Sequence, residues 1–299
     1  MVNAKPFLKW AGGKSQLISE IQAVVSRKFD RDRSFIYIEP FIGGGAFLFY
    51  ILNHFMNLEK AIINDINGNL IQSYRVIQEE HEALIDSLAR IEQEYYNFHT
   101  DTQRKNFYLE KRTEFNKKNV TNRIVKTTLL IFLNRTCFNG LYRVNQKGLF
   151  NVPFGKYKKP KICDRDNLLA VHQGLQNVEI WQGDFTKTLD FANQNTLFYL
   201  DPPYKPLNPT SAFTAYSKEN FCDRDQLRLK EFCDKVNEKG GYFLLSNSDV
   251  TNSELENGDR LFFDKLYEGY IIKRVKAKRN INSKGDGRGE ISEVLISNF

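Results

Sequence analysis

The sequence predicts an α/β protein, one mostly parallel sheet into which a helical lobe is inserted. Three observations lead there. Residues 35–65 spell a strand, a glycine-rich turn, an apolar helix and a second strand, the opening unit of a parallel sheet. That alternation stops near residue 66 and resumes near 175. Between these points, Asp101–Arg165 holds 16 Lys and Arg against four acids, a local charge of +12, so the remainder carries −5 within an overall +7.

Element by element, Phe35-Ile-Tyr-Ile-Glu39 is β-rich and runs into Pro-Phe-Ile-Gly-Gly-Gly45. Ala46–Phe55 then fits a helix, and Ala61-Ile-Ile63 a strand ending at Asn64-Asp65. From Asn67 to about Leu133 apolar residues recur at helical spacing, at Leu70, Ile71, Tyr74 and Ile77, then at Leu84, Leu88 and Ile91. Gly, Asn and Pro crowd Arg135–Lys161, which reads as loops and a hairpin. Strands return at Val178–Trp181 and Leu197–Leu200, followed by a helix at Asp223–Glu238 and a strand at Tyr242–Leu245. A terminal β pair is expected near Tyr267–Val275 and Glu290–Ile296. The expected division is a body of residues 1–66 and 170–299 around a lobe of residues 67–169.

Composition narrows the class of function. With 41% apolar and 13% aromatic residues, the chain is neither disordered nor a coiled coil. Its longest apolar runs, Thr127–Leu133 and Tyr242–Leu245, fall far short of a bilayer span. The opening residues lack the apolar core of a signal peptide. Cys137, Cys163, Cys222 and Cys233 form no C-x-x-C pair, and His54, His81, His99 and His172 are scattered. A cytoplasmic protein without metal or membrane partner is expected. The charge of the lobe alone fits either a solvated lysine-rich surface or a polyanion partner. Arg135, Phe138, Asn139, Tyr142, Arg143, Asn145, Phe150 and Asn151 interleave the groups that bond base edges and stack or wedge, which favours nucleic acid.

Three glycine- or proline-rich signals carry the chemistry. In Phe7-Leu-Lys-Trp-Ala-Gly-Gly-Lys-Ser15, a phosphate-binding P-loop would need glycine at position 8, where Leu8 stands, and no strand precedes it. A Gly-Gly turn between Trp10 and Lys14 still suits a carboxylate, with backbone N–H groups and one positive charge. The second signal, Gly43-Gly-Gly45, follows a strand and enters a helix, where open α/β sheets bind ligands. A dinucleotide fingerprint would need a third glycine where Leu48 stands, so a nucleoside without a pyrophosphate fits better. Asp65 ends the next strand, placed either to accept from ribose hydroxyls or to cap a helix. The third signal is Asp201-Pro-Pro-Tyr204 after Phe198-Tyr-Leu200. Two prolines after a buried strand fix φ and leave stiff carbonyls beside an acid and an aromatic ring, a grip for an amine.

These motifs, in this order, resemble the Dam-type DNA N6-adenine methyltransferases of the D12 class over nearly the whole chain. The likeness extends through Asn134-Arg135, Phe138-Asn-Gly-Leu-Tyr-Arg143, Phe150-Asn-Val-Pro-Phe-Gly-Lys-Tyr157, Asp201-Pro-Pro-Tyr-Lys-Pro-Leu207 and Phe213-Thr-Ala-Tyr216. It implies a Rossmann-like methyltransferase fold with a mixed, mostly parallel seven-stranded sheet and an inserted DNA-recognition lobe. It implies S-adenosyl-L-methionine as cofactor, held by Trp10, Ala11, Gly12, Gly13, Lys14, Glu39, Phe41, Gly43, Gly45, Asp65, Asp184, Phe185 and Asp201. Glu39 departs to a longer acid where Asp is also common in the family; either suits the methionine amine. Arg135, Asn139, Leu141, Arg143, Asn145 and Lys156 would contact double-stranded DNA, with Arg143 where the family reads a guanine of GATC.

Catalysis would fall to Asp201, Pro202 and Tyr204. Adenine N6 is a poor nucleophile because its lone pair is delocalised; a carboxylate and a carbonyl accepting its two N–H groups would turn that lone pair outward. The base must be flipped out to be reached, with Tyr204 stacking on it. A restriction endonuclease acting on the same site is a candidate partner. Methylation at another DNA site or in RNA, and a non-catalytic DNA-binding regulator, stay open. A glutamine-modifying methyltransferase usually carries Asn where Asp201 stands.

Overall fold

The computed structural model describes residues 3–10, 18–29, 34–205, 221–252, 259–278 and 290–299. Seven strands form one sheet: β1 (Phe35–Glu39), β2 (Leu58–Asp65), β3 (Val178–Gln182), β4 (Thr196–Leu200), β5 (Tyr242–Ser248), β6 (Ile271–Lys278) and β7 (Glu290–Ser297). Their spatial order is β3-β2-β1-β4-β5-β7-β6. β1 to β5 pair in parallel, with Ile38 opposite both Ile62 and Phe198, while β7 runs antiparallel between β5 and β6. This is the Rossmann-like methyltransferase fold that the resemblance implies. The strand order reverses between β1 and β4, so the crevice beyond their C-terminal ends is the place for a ligand.

The strands read as near-continuous apolar runs because both faces of the sheet are covered. Alternate residues go to alternate sides. Tyr37, Ile63, Leu197, Tyr199 and Leu244 join one buried cluster; Ile38, Ile62, Phe198, Leu200, Phe243 and Leu245 join the other. The second cluster is closed by α7 (Asp223–Glu238) through Leu229, Phe232 and Val236. The first is closed by α1 (Ile18–Lys28) and α2 (Ala46–His54) and runs on without a break into the lobe.

The lobe has three helices, α3 (Gly68–Tyr96), α4 (Asp101–Phe115) and α5 (Arg123–Thr136). α3 begins on a side-chain cap, Asn67 accepting from the Asn69 and Leu70 amides, and bends at Glu80, where φ is −135°. α4 opens with a Thr100–Gln103 capping box and α5 with Asn122 accepting from the Val125 amide. α6 (Arg165–Leu175) returns the chain to β3 and spans the expected boundary at 169/170. A short α8 (Phe262–Leu266) precedes β6. The sequence pattern missed α1, α6 and α8, and it stopped β5 three residues short. Among the described residues no helix is long and apolar enough to cross a membrane.

Candidate functional site

Parallel pairing brings the C-terminal ends of β1 to β4 to one edge, and each end carries an acid: Glu39, Asp65, Asp184 just beyond β3, and Asp201 just beyond β4. Glu39 is 3% exposed and accepts from the Tyr37 hydroxyl at 2.6 Å. Burial pushes its carboxyl well above the usual range; the Tyr37 hydrogen bond works against this, while the charges of Asp201 and Asp65 push it up further.

The turn after β1 is closely covered by aromatic side chains. Gly43 and Gly45 have φ of 46° and 70°, which side-chain-bearing residues seldom adopt. A Cβ on Gly43 or Gly44 would lie 2.9 Å from Trp10, and one on Gly45 2.5 Å from the Tyr74 hydroxyl. Trp10 thus closes on the turn from one side and Tyr74 from the other. The Gly43 amide donates to Asp65 at 3.1 Å, and the Tyr74 hydroxyl donates to the Gly43 carbonyl at 3.1 Å.

Asp65 is half-buried and accepts a second bond, from the Asn67 amide at 2.9 Å. The cap of α3 is Asn67, not Asp65, so the acid is not consumed in starting a helix. Burial raises its carboxyl to about 6, against the hydrogen bonds from Asn67, Gly43 and Ile66. Neighbouring Asn64, fully buried, ties two turns together: its Nδ2 donates to the carbonyls of Pro40 and Gly183, each at 3.0 Å.

At the end of β3, Asp184 accepts from the Thr186 amide and hydroxyl and pairs with Arg228 of α7 at 2.9 Å. Burial works to raise its carboxyl, but the Thr186 and Arg228 bonds outweigh it and hold the group below the usual range. Phe185 stacks obliquely with Phe41 (5.2 Å), and Phe221 meets both rings, making an aromatic wall between the β1 and β3 ends.

The Asp-Pro-Pro-Tyr segment is fixed by residues the sequence reading did not single out. Ser246, Asn247 and Ser248 are buried at the end of β5. Ser246 Oγ donates to Asp201 Oδ1 at 3.1 Å, the Lys205 amide donates to Asn247 Oδ1 at 3.1 Å, and Ser248 Oγ donates to the Lys205 carbonyl at 2.6 Å. Tyr204 donates its hydroxyl to Glu293 of β7 at 2.5 Å, and burial pushes the phenol well above its usual value. Pro202 is buried and Pro203 exposed. A run of small polar residues closing an apolar strand, Leu245-Ser-Asn-Ser-Asp249, is the signal that could have found this clamp.

The lobe presents the 137–157 segment next to this edge. Asn134, 1% exposed, pairs with both backbone groups of Lys9 at 2.8 Å and donates to the Gly140 carbonyl at 2.9 Å. Arg135 Nη2 donates to the Phe7 carbonyl at 2.8 Å, and burial pushes the guanidinium below its ordinary value. Arg143 is exposed, its Nε donating to Asn151 Oδ1 at 2.9 Å. Asn145 turns the hairpin, accepting from the Lys147 and Leu149 amides at 3.0 and 3.1 Å. Asn139 and the exposed Lys156 hold positive φ of 56° and 54°, and Leu141 is half-buried. Ala11, Gly12, Gly13 and Lys14, and the stretch Phe213–Tyr216, lie outside the described residues.

Chemically, this edge offers carboxyl oxygens to a ligand's donors. Among the described residues no Lys or Arg pairs with Glu39 or Asp65, although burial penalises both as anions. A ligand with positive charge and hydroxyl donors, flat enough for the Phe41–Phe185 wall, matches the set.

The sequence profile described as D12 class N6 adenine-specific DNA methyltransferase matches residues 10–281. The type II methyltransferase M.MjaIII of Methanocaldococcus jannaschii is 46% identical, covering 100% of both chains. The type II methyltransferase M1.LlaDCHI of Lactococcus lactis subsp. cremoris is 35% identical, covering 100% of this chain and 96% of its own. A DNA adenine methylase of Vibrio cholerae is 34% identical over 99% of this chain and 96% of its own.

Proposed function

The chain belongs to the D12 class of N6 adenine-specific DNA methyltransferases, and on that premise we propose that it takes its methyl group from S-adenosyl-L-methionine and modifies adenine within GATC of double-stranded DNA, the target base being flipped out of the helix. The observation that carries this reading is that the parallel pairing of β1 with β2 and β4 sets Glu39, Asp65 and Asp201 at one edge of the sheet, beside the Gly43–Gly45 turn whose Gly43 amide donates to Asp65. One rim thus joins the proposed cofactor acids to the proposed catalytic acid.

When bound, S-adenosyl-L-methionine supplies an electrophilic methyl group on a sulfonium centre. Glu39 receives the cofactor's ammonium and Asp65 its ribose hydroxyls. Asp184, Phe41 and Phe185 border its adenine. Trp10, Gly43 and Gly45 line the turn, with Ala11, Gly12, Gly13 and Lys14 assigned to the carboxylate. On the substrate side, Asp201 accepts one N6–H and the Pro202 carbonyl the other. The amine would be drawn towards a tetrahedral arrangement, its lone pair leaving ring conjugation for an in-line displacement without a covalent enzyme intermediate. The N6–methyl bond would form as the methyl–sulfur bond breaks, the thioether departs and one N6 proton passes to Asp201 or to water. Positioning and electrostatics provide the acceleration. The Ser246 bond fixes the rotation of Asp201, and the Glu293 bond fixes the ring of Tyr204 that stacks on the extruded base.

The lobe, residues 67–169, is assigned to target recognition, and the body, residues 1–66 and 170–299, to catalysis. Arg143 reads a guanine, with Arg135, Asn139, Leu141, Asn145 and Lys156 along the duplex; Arg135 also donates to the Phe7 carbonyl. Likeness to two type II methyltransferases supports a restriction endonuclease of the same site as partner. Plasmid DNA from cells expressing the protein tests the reading. Protection from an endonuclease blocked by adenine-methylated GATC is expected. Methylated adenine found by long-read sequencing in another context would overturn the site assignment, and no methylated adenine would overturn the activity.

A further inference from the structure

Trp10 belongs to two surfaces at once. It fills the space over the glycine turn, where a Cβ on either Gly43 or Gly44 would come within 2.9 Å of it. Its face stacks on Tyr142, with ring centroids 5.2 Å apart and planes 19° apart. Tyr142 is 4% exposed, stands next to the exposed Arg143, and meets Phe150 across the hairpin at 5.8 Å. Its hydroxyl accepts from Asn69 Nδ2 at 3.4 Å, in the first turn of α3 just beyond Asp65 and Asn67. Two stacked rings therefore span the distance from the glycine turn to the residue beside Arg143.

We infer that Tyr142 is a positioning residue that couples cofactor binding to DNA recognition through its stack on Trp10. This rests on the reading above, in which the glycine turn holds the cofactor and the 138–151 segment meets DNA. A ligand seated on the turn restrains the indole that covers it. The indole restrains the plane of Tyr142, and that plane sets the direction in which Arg143 leaves the backbone. By linkage, a duplex engaged by Arg143 favours the same arrangement of the indole, so each ligand strengthens the other. The remaining ties of the segment bypass the stack. Tyr108 and Arg112 donate to the Val152 carbonyl, Asn116 bonds both backbone groups of Phe150, and Asn134 holds Gly140. Removing the Tyr142 ring leaves these anchors in place and cuts the link.

The test measures the affinity of S-adenosyl-L-homocysteine, which cannot donate a methyl group, with and without a saturating GATC duplex. In the wild type the duplex is expected to tighten binding about 5- to 150-fold, the range of ordinary coupling. Tyr142→Ala is expected to bring the factor within about twofold of one. Tyr142→Phe, which keeps the stack, should retain the wild-type factor. Tyr142→Leu fills the same space without an aromatic face and should lose it, so a poorly folded Ala variant does not decide the matter. A full factor in Tyr142→Leu, or a wild type that binds both ligands independently, overturns the inference alone. A wild type that binds neither ligand overturns the reading of the site instead.

Discussion

Four parallel strands place the acidic rim, whereas the proposed recognition segment beside it has almost no sheet of its own. Glu39, Asp65, Asp184 and Asp201 share an edge because the registers of β1 to β4 put them there. Residues 137–157 make only two isolated bridges among the described residues, Cys137–Phe154 and Val144–Phe150. That segment is held by individual side chains, Asn134 and Asn116 above all, reaching from α4 and α5. The rim is therefore a property of topology and the segment a property of a few amides. A rim residue can be changed at the cost of chemistry with little change of shape; an anchor of the segment cannot.

The largest expected effect falls on the rim. Asp201→Ala should lower methyl transfer by about a hundred- to a thousandfold or more, the loss seen when one pre-set polar group is removed from a reacting centre. Retention of duplex DNA should persist. Incorporation of tritiated methyl groups and gel retardation check the two halves separately. The counterpart in the segment is Asn134→Ala, which leaves both backbone groups of Lys9 and the Gly140 carbonyl without this partner. A loss of about 2–4 kcal/mol in folding stability is expected, read by denaturant titration, where Asp201→Ala should show little change. Arg143→Ala lies between the two kinds of residue. It should relax discrimination at one base pair by about 1–3 kcal/mol if the contact is bidentate, measured by competition among duplexes altered at single positions.

A smaller effect separates the regions by pH. Asp65 holds its proton up to about 6 in the folded protein, well above an ordinary carboxyl. The folded state therefore binds more protons than the unfolded chain between about pH 4 and 6. From this group, ligand-free stability falls as pH rises through that window. Ribose hydroxyls donate to the ionised form, so cofactor affinity should fall as pH drops below about 6 and level off above it. Thermal melts with and without cofactor across pH 5–8 check both slopes, which have opposite signs.

The same contrast explains what was legible in the sequence. The rim announced itself because each strand is a short apolar run ending in a residue that does not belong in a core: Glu39, Asp65 and Asp201. Neighbouring strands supply their relation, and parallel topology is predictable from the strand–helix alternation. The anchors are invisible locally because they join residues far apart in the chain: Asn134 with Lys9, Asn167 with Lys5, Ser246 with Asp201. β5 ended early in the pattern because Ser246, Asn247 and Ser248 are polar, yet all are buried, their polar groups engaged with the Asp-Pro-Pro-Tyr segment. The amphipathic pattern of the lobe was read as one helical stretch; its division into three depended on caps at Asn67, Thr100 and Asn122.

The central claim is that the strand-end acids form one rim that holds the cofactor beside the reacting amine. Calorimetric titration of S-adenosyl-L-methionine into the wild type and Asp65→Asn, at pH 7.5 and matched folding stability, addresses it most directly. One saturable site is expected in the wild type, with binding at least about tenfold weaker in the variant, in line with the loss of a charge-assisted hydrogen bond. Equal affinity in the two proteins, or no binding in the wild type, would contradict it.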